Sequence, residues 1–265
     1  MLLSSVVLVL REVLEAALLF SLLMALSKRL GISWRWVSVA LIVGLLGAAI
    51  YGFNIDLVSE WFDGVGQEVV NAFLQIAIYA LLCLLATFAS RHSRGFVVPE
   101  GLIAMLMAAS VTLAIVREGS EIMIYLSAFV QLPDQLTSVL AGSAIGAGIG
   151  VSVGAVFYYA LLNLGRRAAI ITGAVLLTLV AAGMASQAAQ LLIQADWLPS
   201  QYPIWDSSWL VAEQTVTGQL LYALIGYEAT PAPLQLFIYA AAILLIIFIA
   251  SIFGRSRGSA EVSRG

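Results

Sequence analysis

MLLSSVVLVLREVLEAALLFSLLMAL, residues 1–26, is apolar enough to cross a membrane, yet it carries Arg11, Glu12 and Glu15 near its centre. The same pattern, R-E-x-x-E, returns as REGSE at residues 117–121, inside another long apolar stretch. A spanning helix needs about 20 mostly apolar residues. An ionisable group at mid-bilayer costs roughly 2.5–3.5 kcal/mol even on the lenient insertion scale. Six such groups at one depth need a reason, and two helices each carry three of them.

The rest of the chain agrees with a membrane reading. Of 265 residues 62% are hydrophobic and only 10% are charged, and the mean hydropathy is +1.03. A soluble domain carries about 25% charged residues. The composition predicts an all-α polytopic membrane protein. A single cysteine, Cys83, excludes an internal disulfide and a thiolate cluster, and a single histidine, His92, excludes a His-rich metal site. The N-terminus lacks a basic n-region, and its apolar run is broken by charge, so it is expected to stay as a first helix rather than leave as a signal peptide.

Seven segments are long enough to span: roughly Leu2–Leu26, Trp36–Phe53, Val69–Ser90, Leu102–Val130, Thr137–Leu162, Ala168–Gln194 and Leu234–Phe253. Asn54–Glu68 reads as an acidic loop. Ala195–Pro233 is a long connection with Trp197, Trp205 and Trp209 and an apolar patch, GQLLYALIGY, too short to span comfortably. Trp and Tyr favour the membrane–water boundary, so this patch is expected to be an interfacial or re-entrant helix.

Lys28, Arg29 and Arg35, Arg91 and Arg94, Arg166 and Arg167, and Arg255, Arg257 and Arg264 fall in alternate connections, all on one side. The opposite connections hold Asp56, Glu60, Asp63, Glu68, Asp134, Asp196, Asp206, Glu213 and Glu228 and no Lys or Arg. The positive-inside rule then places the N-terminus outside and the C-terminus in the cytoplasm of a cell inner (plasma) membrane protein. Nine acids without a base make a cation-attracting mouth. They are equally what remains when bases are confined to the inner side.

A repeat is visible. After each R-E-x-x-E helix comes a helix with small residues every fourth position: Gly44, Ala48 and Gly52, then Gly142, Gly146, Gly150 and Gly154. Such ladders let helix backbones approach closely. A three-helix repeat must reverse its topology in the second copy, so the chain is expected to be one membrane domain with an inverted 3+3 repeat. Residues 1–92 and 99–195 form the copies, 196–233 an extracytoplasmic loop with the interfacial helix, 234–254 the seventh helix and 255–265 a cytoplasmic tail.

Glu12 and Glu15 share a helix face, as do Glu118 and Glu121, and each arginine is four residues before its second glutamate. Arg before Glu is the poorer order, so the arginines are also candidates to reach across to the other helix. Glu12 lies ~15 Å from the outer end of the first helix and Glu118 ~18 Å from that of the fourth, at 1.5 Å per residue. Both fall near the midplane of a ~30 Å core. Arg–Glu pairs that glue helices together are the structural reading. It explains less well why four acids meet only two bases. A hard cation on carboxylate oxygens supplies the missing charge, and the set suits Fe(III), Mn, Ca or Mg. Glu68, Asn71 and Gln75 share one face of the third helix and Gln187, Gln190 and Gln194 one face of the sixth. Helix-to-helix hydrogen bonding is the expectation for most of these, with an entry path as the alternative. Cys83, Met105, Met107 and Met123 read as packing or lipid-facing residues.

The doubled motif, Arg11, Glu12, Glu15 and Arg117, Glu118, Glu121 in the first and fourth of seven helices, resembles the oxidase-dependent iron permease family, the fungal high-affinity iron permeases and bacterial EfeU-like permeases. WDSSWLVAEQTVTGQLLYALIGYEATPAPLQLFIY also resembles the bacterial members' approach to the seventh helix, so the similarity covers nearly the whole chain. Members commonly have Gly-Leu inside the motif, where this chain has Val13 and Leu14, then Gly119 and Ser120. The resemblance implies an iron permease and not an enzyme, with no bound cofactor. Its Glu12, Glu15, Glu118 and Glu121 would take the metal and Arg11 and Arg117 would orient them. Iron would arrive as Fe(III) from a separate extracytoplasmic oxidase or iron-binding partner. Glu68, Asp206 and Glu213 are candidates for an entry path. A homo-oligomer in membrane lipid is allowed, and nucleic acid is not a partner. The competing expectations are a carrier of another cation such as Mn or Pb, and a membrane-embedded di-metal oxidase. Di-metal carboxylate sites use Glu-x-x-His, which this chain cannot supply.

Overall fold

The computed structural model describes residues 2–93 and 96–255. Arg94, Arg257 and Arg264, three of the bases that set the orientation above, lie outside the described residues, as does the tail after 255. The elements are α1 (Leu2–Leu30), α2 (Arg35–Phe53), α3 (Ile55–Ser59), α4 (Trp61–Gly64), α5 (Gly66–Ser93), α6 (Glu100–Ser127), α7 (Pro133–Asn163), α8 (Arg166–Gln194), α9 (Val216–Ile225) and α10 (Pro233–Arg255).

Among the described residues six helices, α2, α5, α6, α7, α8 and α10, are long and apolar enough to cross a membrane. Leu45, Leu46, Ile50, Val156, Leu244 and Phe248 are exposed on them. So much outward apolar surface fits lipid rather than water. The chain is an all-α polytopic membrane protein. The first helix, α1, has 29 residues and carries three charges at its centre. It is also the most enclosed: Leu14, Leu18, Leu19 and Leu23 are fully buried.

The glycine ladders explain how the helices are arranged. On α7, a Cβ at Gly142 would meet Leu2 and Ser5, one at Gly146 Val6 and Leu10, one at Gly150 Val13, and one at Gly154 Ala17 and Ser21. The contacts advance in the same direction along both chains, so α7 lies parallel to α1 at backbone contact. Ser21 Oγ donates to Gly154 O at 2.8 Å across that seam. At its end Arg29 Nη2 donates to the carbonyls of Leu162 and Leu164, each at 2.7 Å, capping the last turn of α7. On α2, Gly44 faces Ile115, Gly47 faces Val116 and Gly52 faces Met123, while Gly119 of α6 faces Ala48. Thus α2 lies parallel to α6 in the same manner.

Several boundaries differ from the sequence expectation. α5 starts at Gly66 rather than Val69, so Glu68 is in its first turn and not in a loop. The Asn54–Glu68 stretch is not irregular: it holds α3 and a turn at Trp61–Gly64 in which Phe62 and Asp63 take positive φ. α7 starts at Pro133, four residues before Thr137, because proline is favoured in a first helical turn. The apolar patch is a short helix as expected. Thr215 caps α9 by accepting from Gly218 N at 3.1 Å. Gly226 ends it in the left-handed region at φ 66, against Gly183 of α8, where a Cβ would lie 2.6 Å from the Gly183 Cα. α9 packs on α1 and α8. Of the residues read as packing or lipid-facing, Cys83 and Met107 are buried and Met105 is exposed.

Gly146→Val places a side chain where a Cβ alone would be 2.5 Å from Val6 O, whereas Gly148 has open space around it. The first change is expected to destabilise by at least ~1–3 kcal/mol and Gly148→Val to be close to neutral. Thermal unfolding of both in detergent checks this, and equal effects would contradict the α1–α7 seam.

Candidate functional site: a carboxylate cluster between α1 and α6

The two R-E-x-x-E words meet. Glu12 and Glu15 enter from α1 and Arg117, Glu118 and Glu121 from α6. Glu12, Glu15, Arg117 and Glu118 are each 5% exposed or less. All of these residues sit within helices, where three- and four-residue spacing keeps them on one face.

The Arg117 guanidinium holds the arrangement. Its Nη1 lies 3.3 Å from Glu15 Oε2 and donates to Glu118 Oε1, while Nε lies 3.8 Å from Glu121 Oε1. The expectation that each arginine reaches its own second glutamate is met in both copies, since Arg11 Nε donates to Glu15 Oε1 at 3.3 Å. The cross-helix reach also occurs, but only for Arg117. Both oxygens of Glu15 therefore face arginines. Gln75 of α5 completes the other side of Arg117. A guanidinium offers only donors, so the amide oxygen of Gln75 belongs toward it, at 3.2 Å from Nε and 3.1 Å from Nη1; that oxygen also lies 2.6 Å from the Gln187 amide, whose NH2 therefore belongs toward it.

Glu15 is held by both arginines, whereas Glu118 and Glu121 meet Arg117 alone. Carboxylate oxygens of Glu12, Glu118 and Glu121 lie within 4.8 Å of one another. Oxygens around a small hard cation, each ~2.0–2.6 Å from it, are separated by about such distances. Glu118 Oε2 is buried and has no hydrogen-bond partner among the described residues. An unmet buried oxygen is costly, and a cation between these three groups would satisfy it. Glu121 is oriented by Asn71 Nδ2, which donates to its Oε1 at 3.4 Å, and Asn71 Oδ1 accepts from Tyr51 Oη at 3.1 Å.

The two copies of the motif are unequal. Arg117 has 6% of its side chain exposed and Arg11 47%. Arg11 lies over the ring of Tyr222 from α9, 5.1 Å from its centroid. Beside it a cleft of about 550 Å³ opens between the start of α1 and α9, lined among others by Arg11, Glu12, Glu213 and Gln219. Of the three entry-path candidates, Glu213 borders this cleft and its Oε1 accepts from Ala229 N at 2.6 Å. Asp206 does not line it: it is exposed and accepts from Ser208 N at 2.9 Å in a local turn. Glu68 is half-buried at the start of α5 and does not line it either. In the loop after α9, burial and then the Glu213 carboxylate push Glu228 up to about 7. Tyr222 and Tyr51 carry no sequence signal that separates them from interfacial aromatics, and only the packing brings them to the site.

Replacing Arg117 tests this electrostatic frame. Arg117→Met leaves Glu15 and Glu118 without their shared cation and is expected to cost about 3–5 kcal/mol. Glu15→Gln in the same chain should recover at least ~1 kcal/mol of it. Unfolding of the two single variants and the double variant in detergent measures the coupling, and strictly additive losses would contradict it.

The chain matches the model of the iron permease FTR1 family over residues 2–259. It is similar to proteins named ferrous iron permease EfeU. The one from Escherichia coli O157:H7 is 27% identical over 241 residues, covering 84% of this chain and 86% of that protein. The one from Yersinia pestis is 26% identical over 264 residues, covering 90% of each. No solved structure matches significantly. A match across nearly every residue, together with the paired motifs in mutual contact, leads to one assignment: the chain belongs to the iron permease FTR1 family and is a membrane transporter, not an enzyme.

Proposed function

We propose that this permease carries iron inward through the Glu12–Glu118–Glu121 cluster, and that it receives the iron as Fe(III) from a separate extracytoplasmic oxidase or iron-binding partner. The observation that carries the reading is the three-carboxylate grouping, with a Glu118 oxygen that has no hydrogen-bond partner among the described residues. Carboxylate oxygens are hard ligands suited to Fe(III). An inside-negative potential adds ~2.3 kcal/mol per charge per 100 mV to inward movement. In this reading Glu15 serves the arginines first, and Arg11 and Arg117 orient the acids and balance part of their charge when no iron is bound. The relatives' name, ferrous iron permease, favours a second reading, in which Fe(II) is the carried ion. The same oxygens accept it.

The architecture proposed with this function has seven spans, α1 included, in an inverted 3+3 arrangement with α10 added. Its support is reciprocal packing: α1 lies parallel to α7 as α6 lies parallel to α2, the exchange expected if the first three spans map onto the next three. The inner side is proposed to hold Lys28, Arg29, Arg91 and Arg167, and the outer side the loop from Ala195 to Ala232. Support comes from the charge asymmetry.

Glu12→Gln, Glu118→Gln and Glu121→Gln preserve size and remove charge. Each should lower iron uptake into proteoliposomes by ~100-fold or more, since even groups that merely support metal ligands cost 10–100-fold, while the protein still folds. Uptake supplied as Fe(III) should exceed uptake supplied as Fe(II) under reductant. Loss of uptake only in step with loss of folding would contradict the ligand role, and a preference for Fe(II) would favour the second reading. For orientation, single cysteines at Ser207 and His92 in a Cys83→Ser chain should react with an impermeant maleimide from outside and from inside respectively. The opposite pattern would overturn the proposed sidedness.

A further inference from the structure

The cleft between α1 and α9 has features that the carboxylate cluster does not use. One wall is the outer third of α1, with Ser4, Arg11 and Glu12. The other is the start of α9 and the residues before it, with Glu213, Gln214 and Gln219. Its volume of about 550 Å³ admits a hydrated ion several times over, at ~30 Å³ per water. We propose that this cleft is a second metal site, a loading site in which the Glu213 carboxylate and the Gln219 amide oxygen receive a hydrated iron ion before it reaches the buried acids. The proposal rests on the transport reading above and adds to it a separate site with its own ligands.

Gln219 is the central observation. Its side chain is 5% exposed and lines the cleft, yet its Oε1 has no hydrogen-bond partner among the described residues. A buried acceptor is costly when unmet, and a leucine would fill the same helical position without that cost. The Gln219 amide lines the cleft, and a turn about its last side-chain torsion brings the oxygen to a hydrated hard cation or to the ion itself. Glu213 is fixed at the same wall: Ala229 N–H holds its Oε1 at 2.6 Å, and a carboxylate has a second oxygen to offer. Glu12 belongs both to this cleft and to the buried trio, so a cation released from Glu213 meets a ligand of the inner site without crossing apolar wall. Arg11, which also lines the cleft, is held at its wall by Glu15 at 3.3 Å and by the face of Tyr222 at 5.1 Å. The asymmetry of the two motifs thereby has a use: α9 covers only the first copy and gives the outer site its second wall.

Iron binding by the full-length protein in detergent tests this, counted by equilibrium dialysis with Fe(II) under anaerobic conditions and, separately, with Fe(III) supplied as citrate. The parent should hold two ions in at least one of these conditions. Glu213→Gln with Gln219→Leu should hold one, because the new amide oxygen at position 213 can still accept from Ala229 N–H and the fold is kept. Glu12→Gln with Glu118→Gln and Glu121→Gln should also hold one, bound more weakly, and combining both sets should leave none. A parent that binds a single ion in both conditions, or a count unchanged by the Glu213 and Gln219 substitutions, overturns the loading site. Such a result leaves the inner cluster standing if the triple variant has lost its ion. The transport reading fails on a different outcome, undiminished uptake by the triple variant.

Discussion

A guanidinium in the middle of a membrane protein is stable only if acids meet it, and Arg117 meets three of them. Glu15 comes from α1, Glu118 and Glu121 from its own helix. Breaking a buried pair by removing one partner costs about 3–5 kcal/mol, so α1 and α6 are fixed to each other at this level. The other constraints fall into line behind it. The α7 ladder sets the distance of α1, the α2 ladder sets the distance of α6, and Gln75, backed by Gln187, closes the remaining side of the arginine. Both oxygens of Glu15 face arginines, whereas Glu118 keeps its Oε2 without a hydrogen-bond partner among the described residues.

That division of labour is the physical basis of the site. Four acids and two bases leave a formal charge of two minus in a region where charge is most expensive. The structure gathers oxygens of Glu12, Glu118 and Glu121 within 4.8 Å of one another, distances suited to one hard cation, with Arg117 balancing part of their charge. In the proposed reading, a tighter set of ion pairs would leave no reason for iron to enter. A looser set would not hold together without it.

Much of this was legible in the sequence. Helix lengths, the depth of the two motifs and the closeness implied by the glycine ladders follow from 1.5 Å per residue and from the absence of side chains at Gly44, Gly142, Gly146, Gly150 and Gly154. The partner of each ladder was not legible, because a glycine marks a close approach without naming what approaches. Nor was the difference between Arg11 and Arg117. Their sequence contexts are alike, and only the packing separates them: Arg117 is enclosed by Glu15, Glu118 and Gln75, while Arg11 borders the cleft beside α9. Glu68 was misplaced by a boundary: an amphipathic first turn at Gly66 reads as loop when only apolar residues are counted. Asn71, Gln75 and Gln187 were visible as polar residues on shared faces, but their order around Glu121 and Arg117 depends on the packing of α5 between α6 and α8.

The central claim is that one iron ion sits among Glu12, Glu118 and Glu121 while Glu15 stays with the arginines. Anomalous diffraction at the iron edge from iron-soaked crystals tests it most directly. The account predicts a peak bounded by those three carboxylates, with Arg117 still on Glu15. A peak that takes Glu15 as a ligand in place of Glu118, or no peak at this level of the bundle, would contradict it.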